Sequence, residues 1–270
     1  MVRLLGYPAI TVLAFASVWW LAEVYQFSLR DPRFLDGWLL FAGMAAQLLF
    51  HVRRNASVSR RLHDTSWRRT HILIGYAVIG AFAAHTSIGL PDTLLEWALW
   101  VLFVLVIVSG IVGSYLMVAV PVKIEQHSEP VEFDAIPKLR TELAQKAEGL
   151  ATGPVDGETL HTIWQLYSST LRGFFNGPRN LLAHLKGSTL PIKKVFHELE
   201  AAELVSDKVD KKALQSLKVL VTEKNNLDFQ YAHQRLLQVW TFVHVPATYG
   251  LIVLAIVHIA VVYAFSSGVP

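Results

Sequence analysis

HILIGYAVIGAFAAH, residues 71–85, and HVPATYGLIVLAIVH, residues 244–258, decide how this chain folds. Each stretch is predominantly apolar and carries a histidine at both ends, fourteen positions apart. In an α-helix that spacing is a little under four turns. Both imidazoles of a stretch then share nearly one face and lie about 21 Å apart along the axis. The separation fits inside a hydrocarbon layer about 30 Å thick. Two such helices side by side present two pairs of imidazoles, one pair near each membrane face.

The rest of the composition agrees with a membrane setting. The chain has 270 residues, 53% hydrophobic and 17% charged, and its apolar residues come in long blocks. It contains no cysteine, which excludes disulfides, thiolate-ligated iron–sulfur clusters and covalently attached c-type haem. Haem b, held by histidine alone, remains open. The net charge of +3 gives no case for nucleic acid. The first apolar block is long enough to span, and no small-residue cleavage site follows it, so no cleavable signal peptide is expected.

Five apolar blocks are expected to be membrane helices: about 7–25, 37–51, 71–85 with its flanks, 93–120 and 239–265. Trp19, Trp20 and Tyr25 close the first as an aromatic belt. Pro32, in the polar turn after it, is expected to end the first, Gly89 and Pro91 form the turn after the third, and Pro121 is expected to end the fourth. Between the second and third blocks, Arg53, Arg54, Arg60, Arg61, Arg68 and Arg69 face a single Asp64. Positive loops of this length stay in the cytoplasm. The N-terminus and residues 121–238 are then cytoplasmic, and the C-terminus lies outside. Blocks three and five run in the same direction, so His71 pairs with His244 at the inner face and His85 with His258 at the outer face.

The inserted segment reads as helical. Helical spacing runs through residues 137–150, 158–175 and 193–205, with Asp156 or Glu158 as caps and a break at Asn176-Gly177-Pro178. A further helix starts after Ser206, and residues 228–240 run into the fifth block without a break. Fifteen basic and fifteen acidic side chains between Pro121 and Val239 make the segment neutral, which suits a protein partner. It carries no nucleotide or flavin signature. The expected fold is thus an all-α integral membrane protein: transmembrane helices in 1–120, a helical cytoplasmic insertion in 121–238, and a closing helix in 239–270.

Two imidazoles on one iron leave no open coordination position, which suits electron transfer. The inner iron is assigned to His71 and His244, the outer to His85 and His258, giving two haem b. A porphyrin needs small residues beside its ligands, and Gly75 lies one turn from His71. Gly80, Ala81 and Gly250 are further candidates, and Pro246 can bend the helix beside His244. Propionates need cations, for which Arg68 and Arg69, with Arg53 and Arg54, are placed.

The His-x13-His pattern on two helices resembles the di-haem b-type cytochromes, namely cytochrome b of quinol:cytochrome c oxidoreductases and the ferric-reductase-like membrane domains. The resemblance rests on His71, His85, His244 and His258. It implies haem ligation and leaves the reaction open, because the Pro-Glu-Trp-Tyr quinol motif of the first family and the flavin domain of the second are missing. The five-helix count is similar to the membrane subunits of nitrate reductases, whose ligand spacing differs.

Other residues carry two readings each. His51 could meet quinone or a further haem, or anchor at the interface. His63 reads as solvated. His127, His161, His184, His197 and His233 match no metal spacing. Glu23, Asp92 and Glu96 could take protons from a quinol, or anchor and cap, with Asp92 as the expected cap. Ser109, Gly110, Gly113 and Ser114 form a small-residue face for helix packing or a haem edge. The expected function is transmembrane electron transfer as an oxidoreductase subunit, with membrane lipid, a redox protein on either side and quinone as partners. A stand-alone quinone or metal reductase and a non-haem membrane anchor or transporter are the alternatives.

Overall fold

The computed structural model describes residues 32–56, 64–152, 159–206 and 208–266, with ten positions between 9 and 24. The first apolar block and residues 57–63 therefore lie largely or wholly outside the described residues, His63, Arg60 and Arg61 among them. So do Asp156 and Glu158. Every regular element among the described residues is helical. Two compact units result, one from Met1–Ser114 with Trp240–Pro270 and one from Tyr115–Val239.

The first unit includes α1 (Pro32–Ala56), α2 (Asp64–Thr86), α3 (Leu94–His127) and α9 (Lys208–Ser266), the last two also entering the second unit. Leu40 and Met44 of α1, Val78 and Ala81 of α2, Phe103 of α3, and Leu251, Ile252 and Ala255 of α9 form one buried core. Phe82 and Phe103 stack within it, centroids 3.8 Å apart. Gly43 lets α1 and α2 close up: a Cβ there would meet Val78 Cγ2 at 2.6 Å.

Cross-helix contacts fix the directions. Gln47, late in α1, donates to the carbonyl of His71, early in α2, so these helices are antiparallel. Ser109 of α3 meets His244 of α9, and Leu102 lies beside Gly250, so α3 and α9 are antiparallel too. The His71/His244 and His85/His258 rings each lie within electrostatic reach of one another. Hence α2 and α9 run the same way.

Several boundaries differ from the sequence expectation. Pro32 is the first residue of α1, where a missing N–H removes no helical bond. Pro121 does not end α3, which continues to His127. Its ring deprives the Met117 carbonyl of a partner, but Val120 and Ile124 are 3% and 5% exposed, and burying a side chain of that kind contributes about 1.5–3 kcal/mol. The cap of α3 is Thr93, not Asp92. Glu96 accepts from the backbone N–H of Asp92 and Thr93, and Thr93 Oγ1 accepts from Glu96 N–H, a reciprocal capping box. In the preceding turn Ser87 and Ile88 adopt left-handed backbone.

Among the described residues two helices, Leu94–His127 and Lys211–Phe265, are long and apolar enough to cross a bilayer. Their apolar faces point outward. In α3, Trp97, Val101, Leu105, Val108 and Val112 are all exposed, at spacings of three and four that make one stripe.

The second unit comprises the end of α3, α4 (Ile136–Thr152), α5 (Thr159–Leu166), α6 (Arg172–Phe175), α7 (Leu181–Leu185), α8 (Leu190–Val205) and the first part of α9. A π-helical stretch, Tyr167–Leu171, joins α5 to α6. Leu143, Ala147, Tyr167, Leu171, Leu199, Leu214 and Leu217 form its apolar core with their neighbours. Inside it Lys224 and Asp228 are fully buried, Nζ to Oδ2 2.5 Å. Arg140 Nη1 lies 3.7 Å from the same carboxylate, and Arg179 N–H donates to it at 3.1 Å. The neutral balance of charges in this segment thus conceals a buried charged cluster.

Candidate cofactor sites in the helix bundle

At one end of the first unit a cavity of about 580 Å³ lies between His85 and His258, walled by Phe82, Phe103, Trp100 and Trp38. That volume is in the range of small-molecule and cofactor pockets. His85 sits in the last turn of α2 and His258 two turns from the end of α9. The His85 ring is held from behind. Its Nδ1 lies 2.7 Å from Oδ1 of Asp36, a residue 5% exposed. The carboxylate accepts, so Nδ1 carries a proton; in the neutral imidazole that tautomer keeps the lone pair on Nε2. Gly37 makes room for the ring: a Cβ there would meet His85 Cε1 at 3.0 Å. Glu96 also lines the cavity, though its carboxylate is engaged by the α3 cap. Trp38 Nε1 donates to Tyr263 Oη at 3.0 Å at the same end, a polar-tipped aromatic pair of the kind found at membrane surfaces.

The opposite end holds His71 and His244, both half-buried. His244 Nδ1 lies 2.8 Å from Ser109 Oγ. That hydroxyl donates to the Val106 carbonyl, so it accepts from His244 Nδ1, and the neutral ring then keeps its lone pair on Nε2. Trp240 stacks on the His244 ring, centroids 5.5 Å apart, and its Nε1 donates to the Ser109 carbonyl at 2.7 Å. The indole rests on Gly113.

The small-residue face of α3 therefore receives Trp240 and His244. A Cβ at Gly113 would fall 2.0 Å from Trp240 Cε2, while one at Gly110 would sit 3.4 Å from His244 Cε1. Gly113→Ala is expected to lower the thermal midpoint, by overpacking of about 1–3 kcal/mol. Gly110→Ala should leave it nearly unchanged. Equal midpoints for the two variants would contradict this packing.

Of the other expected site residues, Arg68 is half-buried and Arg69 exposed, one turn or less before His71. Gly75 faces α1, where its Cβ would meet Gln47 Nε2 at 3.1 Å. Glu23 accepts from Trp19 Nε1 at 3.3 Å. His51 is helical in α1, with Arg53 and Arg54. Their side chains, and that of His161, lie outside the description. Asp36, Gly37 and Trp240 were not legible as site residues. Asp36 reads as turn chemistry until Pro32 is seen to start a helix, which places Asp36 in its second turn.

In the second unit His127, His184 and His233 surround Phe229, with ring centroids 3.9, 6.0 and 4.2 Å from it. The phenyl ring stands among them, and among the described residues no group of three or more His, Asp or Glu converges as a metal site. Burial, then the charges of His127, His233 and Lys224, hold the His184 imidazole down at about 4. In the unfolded chain it titrates near 6.5. The unfolded state thus binds the extra proton between those values. The stability His184 contributes is complete above about pH 6.5 and is lost as pH falls toward 4. Urea midpoints of the second unit should drop over that window, and His184→Phe should flatten the drop.

The chain matches no family model, no curated protein and no solved structure.

Proposed function

We propose that the first unit is the membrane core of a di-haem b-type cytochrome, which carries electrons across a bilayer between a redox protein or quinone on one side and a partner on the other. The observation that carries this reading is the pairing of imidazoles from α2 and α9 at both ends of the bundle, with His85 and His244 each tied back through Nδ1. The cavity at the His85 end fits the group. His85 and His258 flank a cavity with aromatic walls, and His71 and His244 offer the same donor set at the other end. Bound between such pairs, haem b supplies one-electron oxidation and reduction with no open coordination position.

The chain's own residues do the rest. Asp36 and Ser109 fix ring orientation and tautomer. Phe82 and Phe103 exclude water from the space between the ends, and the low dielectric there strengthens every fixed charge. Arg68 and Arg69, at the His71 end, are placed to neutralise acidic groups of the cofactor. The exposed stripe on α3 supports a lipid-facing surface. Five spans, with the arginine-rich end and the 121–238 insertion cytoplasmic, complete the proposed topology, and the insertion serves to dock a redox partner. Engagement of Glu96 in the α3 cap argues against a proton-accepting quinol site there, and so favours a subunit over a stand-alone reductase.

Proteoliposomes test the transport claim. With ferricyanide inside and dithionite outside, the protein should speed reduction of the trapped acceptor, and His71→Ala should return the rate to that of empty vesicles. Equal rates with and without wild-type protein would refute it.

A further inference from the structure

We infer that residues 179–194 of the second unit form a lipid-contacting surface, which engages the anionic headgroups of the bilayer to which α3 and α9 tether the unit. The inference rests on the membrane part of the reading above and not on its haems.

The charges of the inserted segment balance in total but not in place. Between residues 159 and 197 there is no Asp or Glu, while Arg172, Arg179, Lys186, Lys193 and Lys194 all stand in that stretch. Each of the five is exposed. Lys186, Lys193 and Lys194 enter none of the ion pairs formed among the described residues. Arg179 Nε donates to the Gly173 carbonyl, a neutral acceptor, at 2.9 Å. Two carboxylates adjoin this surface, and both are engaged. Asp228 is buried with Lys224, and it meets Arg179 through the backbone N–H. Glu198, one turn past Lys194 on α8, accepts from Thr170 Oγ1, and Glu200 lies beyond it.

Large apolar side chains stand among these cations. Leu182 of α7 is 72% exposed, and Leu190, the first residue of α8, is 69% exposed. Local geometry turns Leu182 outward. His184, two residues further on, packs edge-on against Phe229. Two positions are about 200° around a helix, so the ring that anchors α7 inward sets Leu182 on the opposite face. The Arg179 N–H on Asp228 pins the start of this turn to the buried cluster, and Gly187, in left-handed backbone, closes it.

Exposed leucines among cations, with no acid between them, match an anionic bilayer surface. There aliphatic side chains enter the headgroup boundary and lysines stay with the phosphates. The second unit, Tyr115–Val239, lies in sequence between the apolar stretches of two helices that are long and apolar enough to span. That tether raises the effective concentration of lipid at this surface. With the arginine-rich loop inside, the leaflet it meets is the cytoplasmic one, which is negatively charged. The same helix supplies a contrast. Leu204 of α8 is 87% exposed and about 21 Å beyond Leu190, but Glu200 and Glu203 are its charged neighbours in sequence.

Because the chain has no cysteine, Leu182→Cys gives it a single site for a nitrobenzoxadiazole label. The full-length protein is reconstituted in nanodiscs of phosphatidylcholine alone, or of equal parts phosphatidylcholine and phosphatidylglycerol, each with a lipid bearing a nitroxide high in its acyl chain. In the mixed discs the label at Leu182→Cys should be quenched and one at Leu204→Cys should not. In phosphatidylcholine discs, quenching at Leu182→Cys should fall to the Leu204→Cys level. The same is expected of mixed discs in salt near 1 M, where the screening length is about 3 Å. One cation near such a surface changes the ratio of docked to free by about fivefold, so Lys186→Gln, Lys193→Gln and Lys194→Gln together should lower it by about a hundredfold.

Equal quenching at the two positions in mixed discs overturns the inference, and so does quenching at Leu182→Cys that ignores lipid charge. An acidic protein as the true occupant would give the first of these results. A chain washed from vesicles by alkaline carbonate would overturn the membrane reading as well. A chain that stays embedded with Leu182→Cys unquenched overturns this inference alone.

Discussion

Replacing His258 with alanine is expected to halve the haem content of the purified protein and leave the other haem spectrally intact. The reason is the pairing across α2 and α9. His258 faces His85 over the cavity at the Asp36 end, while His71 and His244 lie together at the other, about 21 Å away along each helix. On the proposed di-haem reading, loss of one imidazole opens a single site. His85→Ala should remove the same spectral component as His258→Ala, and His71→Ala the same one as His244→Ala. A variant that loses both haems or neither, or components that sort into His71 with His258, would contradict the parallel arrangement of the two helices.

The second large effect concerns stability and belongs to the other unit. Asp228→Ala is expected to destabilise it by about 3–5 kcal/mol, the usual consequence of removing one partner from a buried ion pair. Asp228 is the shared anion of a cluster that water does not reach. Lys224 is bonded to it at 2.5 Å with both side chains fully buried, Arg140 lies at 3.7 Å, and the Arg179 N–H donates to it. Without the carboxylate, two cations and one backbone donor are buried with no counter-charge. Lys224 keeps a cation–π contact with Phe174 at 4.3 Å, and Arg140 one with Tyr231 at 4.7 Å. Such contacts contribute about 0.5–2 kcal/mol each, too little to offset the loss. Lys224→Met should be milder, because Arg140 and Arg179 N–H remain on the carboxylate. Urea unfolding monitored by hydrogen exchange in α4 and α9 measures both. A change below about 1 kcal/mol for Asp228→Ala would show that the cluster is open to water.

The histidine pairs were legible because two constraints coincide in the sequence: equal spacing, and the same helix direction deduced from the arginines between the second and third blocks. His71 lies within electrostatic reach of His244, and His85 of His258. What supports the rings was hidden. Asp36 belongs to a polar turn by composition, and its contact with His85 is made across 49 residues. Ser109 was visible as a small residue for packing, but its hydrogen bond to His244 spans 135 residues. Lys224 and Asp228 stand four apart and resemble an exposed helical pair. Their burial depends on Arg140 and Phe174, which no local pattern brings there. Pro121 misled in the other direction. Proline ends helices when nothing else holds them, and here buried neighbours one turn apart carry α3 past it.

All of this turns on whether the four imidazoles hold iron porphyrin. The most direct measurement is a pyridine haemochrome assay on the purified full-length chain. Two haem b per polypeptide are expected. A colourless preparation, from cells supplied with haem and with the bundle folded, would contradict it.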